Sequence, residues 1–535
     1  MRSRNVGATL LGVGLAATLA LSGCAAGDPT PAETASTAVI TTNGSEPQNP
    51  LIPTNTNETG GGKIIDSIFA GLVYYDAKGA PQNDLAESIE SSDGQNYTIK
   101  IKAGEKFSNG DAVTAKSFVD AWNFGALLSN EQLNSYFFES IEGFSYDEDS
   151  ELTGLKVVDD TTFTVALKQP EADFPLRLGY TAFFPLPADA IADPKTFGET
   201  PVGNGPYMLD GAKAWEHNVK IALVPNPEYK GGRKAMNAGL DIVFYASQEA
   251  AYADLLGGNL DVLDAVPDSA FSSYKTDLGD RAVNQPAAVF QSFTIPQSLA
   301  HFSGKEGQLR RQAISMSINR EQITDVIFQG TRTPATDFTS PVIDGYSKDL
   351  KGASVLKFDE KKAKDLWAQA DAIAPWSGTF QIGYNADGGH AAWVDAVSNS
   401  IKNTLAIDAS GKPYPTFAEF RTDVTSRTIT SAFRTGWQAD YPSLANFLGP
   451  IYATKASSND GDYSSADFDK LLKAGLSESD VATANKKFQD AQEVLFTDLP
   501  AIPLWYSNVT GGYSDGVKNV TFGWNSVPLY YEITK

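Results

Sequence analysis

"YTIKIKAGEKFSNGDAVTAKSFVDAW" (residues 97–122) carries two hydrophobic periods in succession. Tyr97, Ile99 and Ile101 alternate with Thr98 and Lys100, the two-residue period of a strand with one buried face. Ser108-Asn109-Gly110-Asp111 is a turn signal. Thr114 stands where a helix N-cap is wanted, and Phe118, Ala121, Trp122 and Gly125 share one face of a helix predicted from Ala115 to about Leu128. A strand passing through a turn into an amphipathic helix argues for an α/β build.

The same alternation extends in both directions. Upstream, 37–44 reads as a strand closed by Asn-Gly, 45–62 as a Pro/Asn/Gly loop, and 63–76 as a helix carrying Ile64, Ile65, Ile68, Phe69 and Leu72. Downstream, 159–170 and 238–247 read as strands, and 248–263 as a helix, a Gly-Gly cap and a short strand. Two short helices are predicted over 307–330, the second capped by Asn319. Helices follow at 357–371, with Asp359 as N-cap, and at 390–407. Strands are predicted near Thr416–Phe420, at 430–441 and, after another helix and a Pro break, at 502–506. Gly203 and Gly205 do not form a dinucleotide fingerprint, because Pro206 follows and no helix does. With 535 residues, 42% of them hydrophobic and 11% aromatic, the chain has material for two to four domains at about 150 residues each.

The first residues read as a targeting segment. Arg2 and Arg4 precede an uncharged, apolar or small run from Val6 to Leu21, shorter than the roughly 20 residues a spanning helix needs. It ends in Leu21-Ser22-Gly23-Cys24, similar to a bacterial lipobox, which implies cleavage before Cys24 and a lipid on its thiol; ordinary signal-peptidase cleavage is the other reading. Cys24 is the sole cysteine, so an internal disulfide is excluded. A leader over 1–23 and a small, polar tether over 24–36 are therefore expected, with the body held on the extracytoplasmic face of the cytoplasmic membrane. The chain carries 42 Lys and Arg against 65 Asp and Glu, a net charge of −23, and losing Arg2 and Arg4 makes it more acidic still. Such a surface repels nucleic acid.

One late stretch poses a chemical question. In "GWQADYPSLANF" (436–447) Asp440 sits among apolar residues, where an ionised carboxylate is costly unless something pairs with it. It either awaits a cation or buttresses the Tyr441-Pro442 turn.

Six stretches in one order resemble the peptide/nickel family of solute-binding proteins of ABC importers: residues 68–88, 97–122, 200–232, 309–323, 437–448 and 498–507. The resemblance spans about 37–535 and implies an α/β, two-lobed periplasmic-binding-protein fold that closes on a hinge, with an extra inserted domain. It implies domain I over 37–79, 196–287 and 504–535, domain II over 80–195, and domain III over 288–503. It further implies a monomer that captures di- or oligopeptides and hands them to the membrane subunits of an ABC permease.

In peptide binders of this family the Asp of a W-x-x-D stretch grips the ligand's α-ammonium; here that position is Asp440. A carboxylate in a largely dry cleft suits a cation with three donors. Some family members use an Arg six residues earlier, on the same strand face, for the ligand carboxylate; here that is Arg434, which reads otherwise as a surface Arg or one pairing neighbours of Asp440, and Arg427 is the weaker alternative. Gly436, Trp437 and Gln438 belong to a strand whose backbone would pair with an extended peptide; Trp437 reads equally as core or pocket wall. Thr54, Asn55 and Thr56 map onto the family's other peptide-flanking strand or else form a solvated loop, and Asn446 and Phe447 are candidate pocket wall.

Other chemistries find no support. His217, His301 and His390 are too far apart in sequence for ligand spacing, so no metal and no cofactor is expected. HExxH, GxSxG and P-loop signatures are missing, and Asp159-Asp160 reads as a solvated strand edge, so no enzyme is expected. The alternative cargo within the same fold is an oligosaccharide, an opine or a metal chelate.

Overall fold

The computed structural model describes residues 36–535 apart from 172, 387–388, 416, 457 and 479; the leader, the lipobox Cys24 and nearly all of the tether lie outside the described residues. Among those described, no helix is long and apolar enough to cross a membrane.

The opening stretch folds as its periods dictate. Strand Asn96–Ile101 buries Tyr97, Ile99 and Ile101 and exposes the residues between them. It pairs antiparallel with Ala86–Glu90 on one side and Thr162–Ala166 on the other; Leu155–Asp159 closes this four-stranded sheet as a solvated edge. The turn is closed by Phe107 N–H donating to the Asp111 carbonyl at 2.8 Å, and Gly110 takes φ 93°, the left-handed region glycine allows. Helix Ala115–Ala126 follows Thr114, whose N–H donates to the Ser117 hydroxyl at 3.2 Å. It lays Phe118 and Trp122 onto the sheet, where Trp122 meets Phe163 edge-on, with ring centroids 5.5 Å apart, and its indole N–H donates to the Phe183 carbonyl at 2.9 Å.

A second, 12-stranded mixed sheet runs through the rest of the molecule. At its centre two 13-residue strands, Ala282–Thr294 and Ala501–Tyr513, lie antiparallel. Outward from the first come Ala432–Gln438, Phe380–Asn385 and Ala409–Tyr414; outward from the second come Val262–Leu263, Val39–Gly44, Gly239–Phe244, Lys220–Pro225 and Tyr207–Leu209. The central pairing slips in register between Pro286 and Phe290. Two hydrophobic cores meet there. Ala287 and Val509 belong to the core that contains Phe118, Trp122 and Ile242, whereas Ala288 and Tyr506 belong to the one that contains Phe293, Trp393 and Trp505. The ladder between these two strands is therefore interrupted where one core gives way to the other. Most buried apolar residues between Ala251 and Leu278, which the resemblance places in domain I, pack with the second core; Val262 packs with the first.

Three elements depart from the sequence reading. The helix expected over 63–76 runs from Thr59 to Ile68, and Val73–Tyr75 is a strand. Its end is set from outside. Asn204 uses both ends of its amide on Ala70, at 3.0 Å each, and Gly205 N–H donates to the Ile68 carbonyl at 2.8 Å. The strand expected near Thr416–Phe420 is instead helix Phe417–Thr425, and the neighbouring strand is Ala409–Tyr414. Phe420 and Val424 stand one helical turn apart and bury against Ile429 and Phe433, a small core available only in helical form. Finally, Pro53–Asn55 is a 3-10 turn, not a strand, because Pro53 begins it and Asn134 ties down the carbonyls of Pro53 and Thr56 at 3.1 and 3.0 Å.

Candidate functional site

Strand Ala432–Gln438 is paired along one edge with the Val289–Thr294 part of the central strand, and along its other edge Ala432 and Phe433 pair with Ile382 and Gly383. From Thr435 to Gln438 that second edge has no strand beside it among the described residues. The chain then leaves the sheet at Ala439, turns at Tyr441-Pro442 and enters helix Leu444–Tyr452. Asp440 sits at this corner, on the wall of a cavity of about 320 Å³, within the size range of small-ligand sites. The opposite wall comes from the other lobe: Thr56–Thr59, Gly62 and Lys63, Tyr74 to Asp76, Tyr180 and Thr181, and the Val527–Tyr531 segment; Trp524, which packs in the second core, also lines the cavity.

The Asp440 corner is pinned by one side chain. Asn446 Oδ1 accepts from the Asp440 N–H at 2.9 Å and from the Trp437 indole N–H at 3.1 Å, while its Nδ2 donates to Asp440 Oδ2 at 3.0 Å. Trp437 and Asn446 thus hold the carboxylate in place, and Asp440 combines the turn role with a position on the cavity wall. Burial pushes its carboxyl up to about 6, the Asn446 hydrogen bond opposing this, and among the described residues no cation is at ion-pair distance. Tyrosines surround it. Burial and then the charge of Asp440 raise the hydroxyls of Tyr136 and Tyr180 well above their ordinary value. Tyr75 donates its hydroxyl to the Leu176 carbonyl and meets Trp524 edge-on at 5.5 Å.

The other residues singled out from sequence fall in several places. Gln438 lines the cavity and its amide donates to the Asn525 carbonyl at 3.3 Å; Gly436 is exposed and pairs with Gln291. Thr56 lines the cavity but is buried, its hydroxyl donating to Ile52. Thr54 is buried and donates to Gln132, and Asn55 accepts from the Leu133 N–H. Phe447 is fully buried in the second core. Arg434 is placed away from the cavity, its Nε donating to Asn385 at 2.8 Å and its guanidinium over Phe417 and Phe420. Arg427, at φ 61°, binds Asp460 and Asp462 and holds a surface loop. Lys63, Arg233 and Trp524 line the cavity without having been singled out. All three fall outside the resembling stretches, so nothing in the sequence marked them. Among the described residues no group of three His, Cys, Asp or Glu is placed to hold a metal ion.

A sequence model of the family described as bacterial extracellular solute-binding proteins, family 5 middle, matches residues 80–459. The chain belongs to this family. Family 5 members are solute-binding proteins, not enzymes. The oligopeptide-binding protein OppA of Bacillus subtilis is 25% identical over 500 residues, 88% of either chain. A probable deoxycholate-binding periplasmic protein, YgiS of Escherichia coli, is 26% identical over 481 residues, 85% of either chain. The solved structure of the Escherichia coli murein tripeptide binding protein MppA covers 94% of this chain with 99% of its own, at TM-score 0.77 and 21% identity. The two-lobed α/β fold of this family is therefore the fold of this chain.

Proposed function

We propose that the protein captures short peptides in extended form between its lobes and delivers them to an ABC permease, acting as a monomer tethered through a lipid on Cys24 outside the cytoplasmic membrane. The observation that carries this reading is Asp440: a carboxylate desolvated on the wall of an inter-lobe cavity and held by Asn446, with no cation beside it among the described residues. A peptide α-ammonium supplies the missing charge, through a charge-assisted hydrogen bond worth about 1.5–3 kcal/mol. The strand edge from Thr435 to Gln438, with no strand beside it among the described residues, leads to that carboxylate. It offers backbone donors and acceptors common to every peptide, which allows tolerance of sequence. OppA-like relatives named for oligopeptides support the same cargo. A deoxycholate-like solute is the second reading, on the strength of one relative's name. It fits this wall less well, since a bile-acid carboxylate would face Asp440. Calorimetry with a tripeptide and its N-acetylated form is the test: loss of binding on acetylation supports ammonium capture, and equal affinities would reject it.

A further inference from the structure

Proteins hold a ligand carboxylate with a free lysine, a free arginine or an uncapped helix N-terminus. All three devices occur on this cavity wall, and each is already filled by the protein itself. Helix Thr59–Ile68 lines the cavity with its first turns, but Glu58 Oε1 accepts from the Gly61 N–H at 2.8 Å and so caps that terminus with the chain's own negative charge. Lys63 is bound to Asp264, a carboxylate further fixed by Asn43 Nδ2 at 2.6 Å; the lysine side chain is 7% exposed, and burial lowers its ammonium to about 8. Arg233 spends its donors on Asp84, on both the carboxylate and the carbonyl of Asp66, and on the Phe69 carbonyl, and its side chain is 4% exposed.

The acids are not matched in the same way. Among the described residues Asp440 has no cation beside it, Asp76 binds the N–H groups of Lys78 and Ala80 in its own turn, and Glu58 caps a helix and faces Lys63, whose ammonium is already bound to Asp264. The wall therefore offers negative charge on both lobes and no uncommitted positive charge among the described residues. We propose, resting on the peptide reading, that this cavity selects peptides of positive net charge and leaves the guest's carboxyl end unclamped. The ammonium is held at Asp440, a lysine or arginine side chain is drawn by Glu58 and Asp76, and the carboxyl end is free to extend toward solvent. Tyr74, Tyr75 and Trp524 on the same wall give such a side chain aromatic faces to lie against.

The test is calorimetry on the full mature chain, refolded to strip resident ligand, with Ala-Lys-Ala, its C-terminal amide, its N-acetyl form and Ala-Glu-Ala. Expected is binding of the amide within about threefold of the free acid, and of the Lys peptide about tenfold or more tighter than the Glu peptide at low salt, the gap narrowing as salt is added. A free acid that binds about tenfold tighter than its amide, or equal affinities for the Lys and Glu peptides, would overturn the inference while leaving peptide capture intact. Equal binding of the N-acetyl form, or no binding by any of the four, would remove the peptide reading and this inference with it.

Discussion

The Arg177 guanidinium lies 5.5 Å from the centroid of the Tyr441 ring, and the two come from opposite sides of the cavity. Tyr441 is the residue after Asp440, yet it is buried in the first core while its neighbours Ala439 and Leu444 belong to the second. Arg177 is itself held by Glu171 and Asp173 at 2.9 Å each, and Asp173 also accepts from the Ser443 hydroxyl at 3.3 Å. A side chain of one lobe thus plugs into the other beside the candidate ligand anchor. Tyr441→Ala should raise the peptide Kd about tenfold or more, because the closed arrangement loses this ring, whereas Tyr441→Phe, which keeps the ring over Arg177, should stay within about twofold. Calorimetry of both variants checks this; equal losses in the two would assign the effect to the hydroxyl instead.

Peptide affinity should depend on acidity through Asp440. Burial raises its carboxyl to about 6, so it is ionised at neutral pH and protonated below that value. A protonated carboxyl offers an ammonium no charge, so binding is full above pH 6 and weakens as pH falls through it, with a limiting slope of about tenfold per pH unit. A Kd flat from pH 7.5 to 5 would mean that Asp440 does not carry the contact.

Asp440→Asn should raise stability and lower affinity. The folded protein holds this carboxyl above its unfolded value, so the ionised form costs stability in the ligand-free protein at neutral pH, a cost relieved as pH falls through about 6. The amide removes that cost and the Tm of the ligand-free variant should rise, by about 1–2 °C for a chain of this size. The peptide Kd should rise about tenfold or more as the charged partner is lost. Thermal melting and calorimetry on one preparation separate the two; a fall in both Tm and affinity would point to a purely structural carboxylate.

Gly203→Ala should be destabilising for a reason unconnected with ligand. A Cβ at Gly203 would stand 1.9 Å from the Ile68 carbonyl oxygen, a backbone atom that cannot rotate away. The loss should reach about 1–3 kcal/mol in denaturant unfolding, and an unchanged midpoint would show that the helix end at Ile68 moves freely.

Local chemistry was legible in the sequence wherever one segment satisfies itself. The strand at 96–101, the Gly110 turn, the Thr114 cap, and Asn319 and Asp359 as N-caps follow from periods and side chains within a few residues. Asp440 stood out because an acid among apolar residues demands a partner, and family order located it on a two-lobed fold. Only the tertiary structure decided what depends on distant chain. Helix Thr59–Ile68 stops where Asn204 and Gly205 reach it, the 417–425 segment is helical because its buried face meets Phe433, and Arg434 turns to Asn385 and two phenylalanines. The neutralisation of Lys63 and Arg233 by Asp264, Asp66 and Asp84 is likewise a matter of space. A sequence displays every charge it owns, but whether a charge is left for a ligand depends on which opposite charge folding brings within reach.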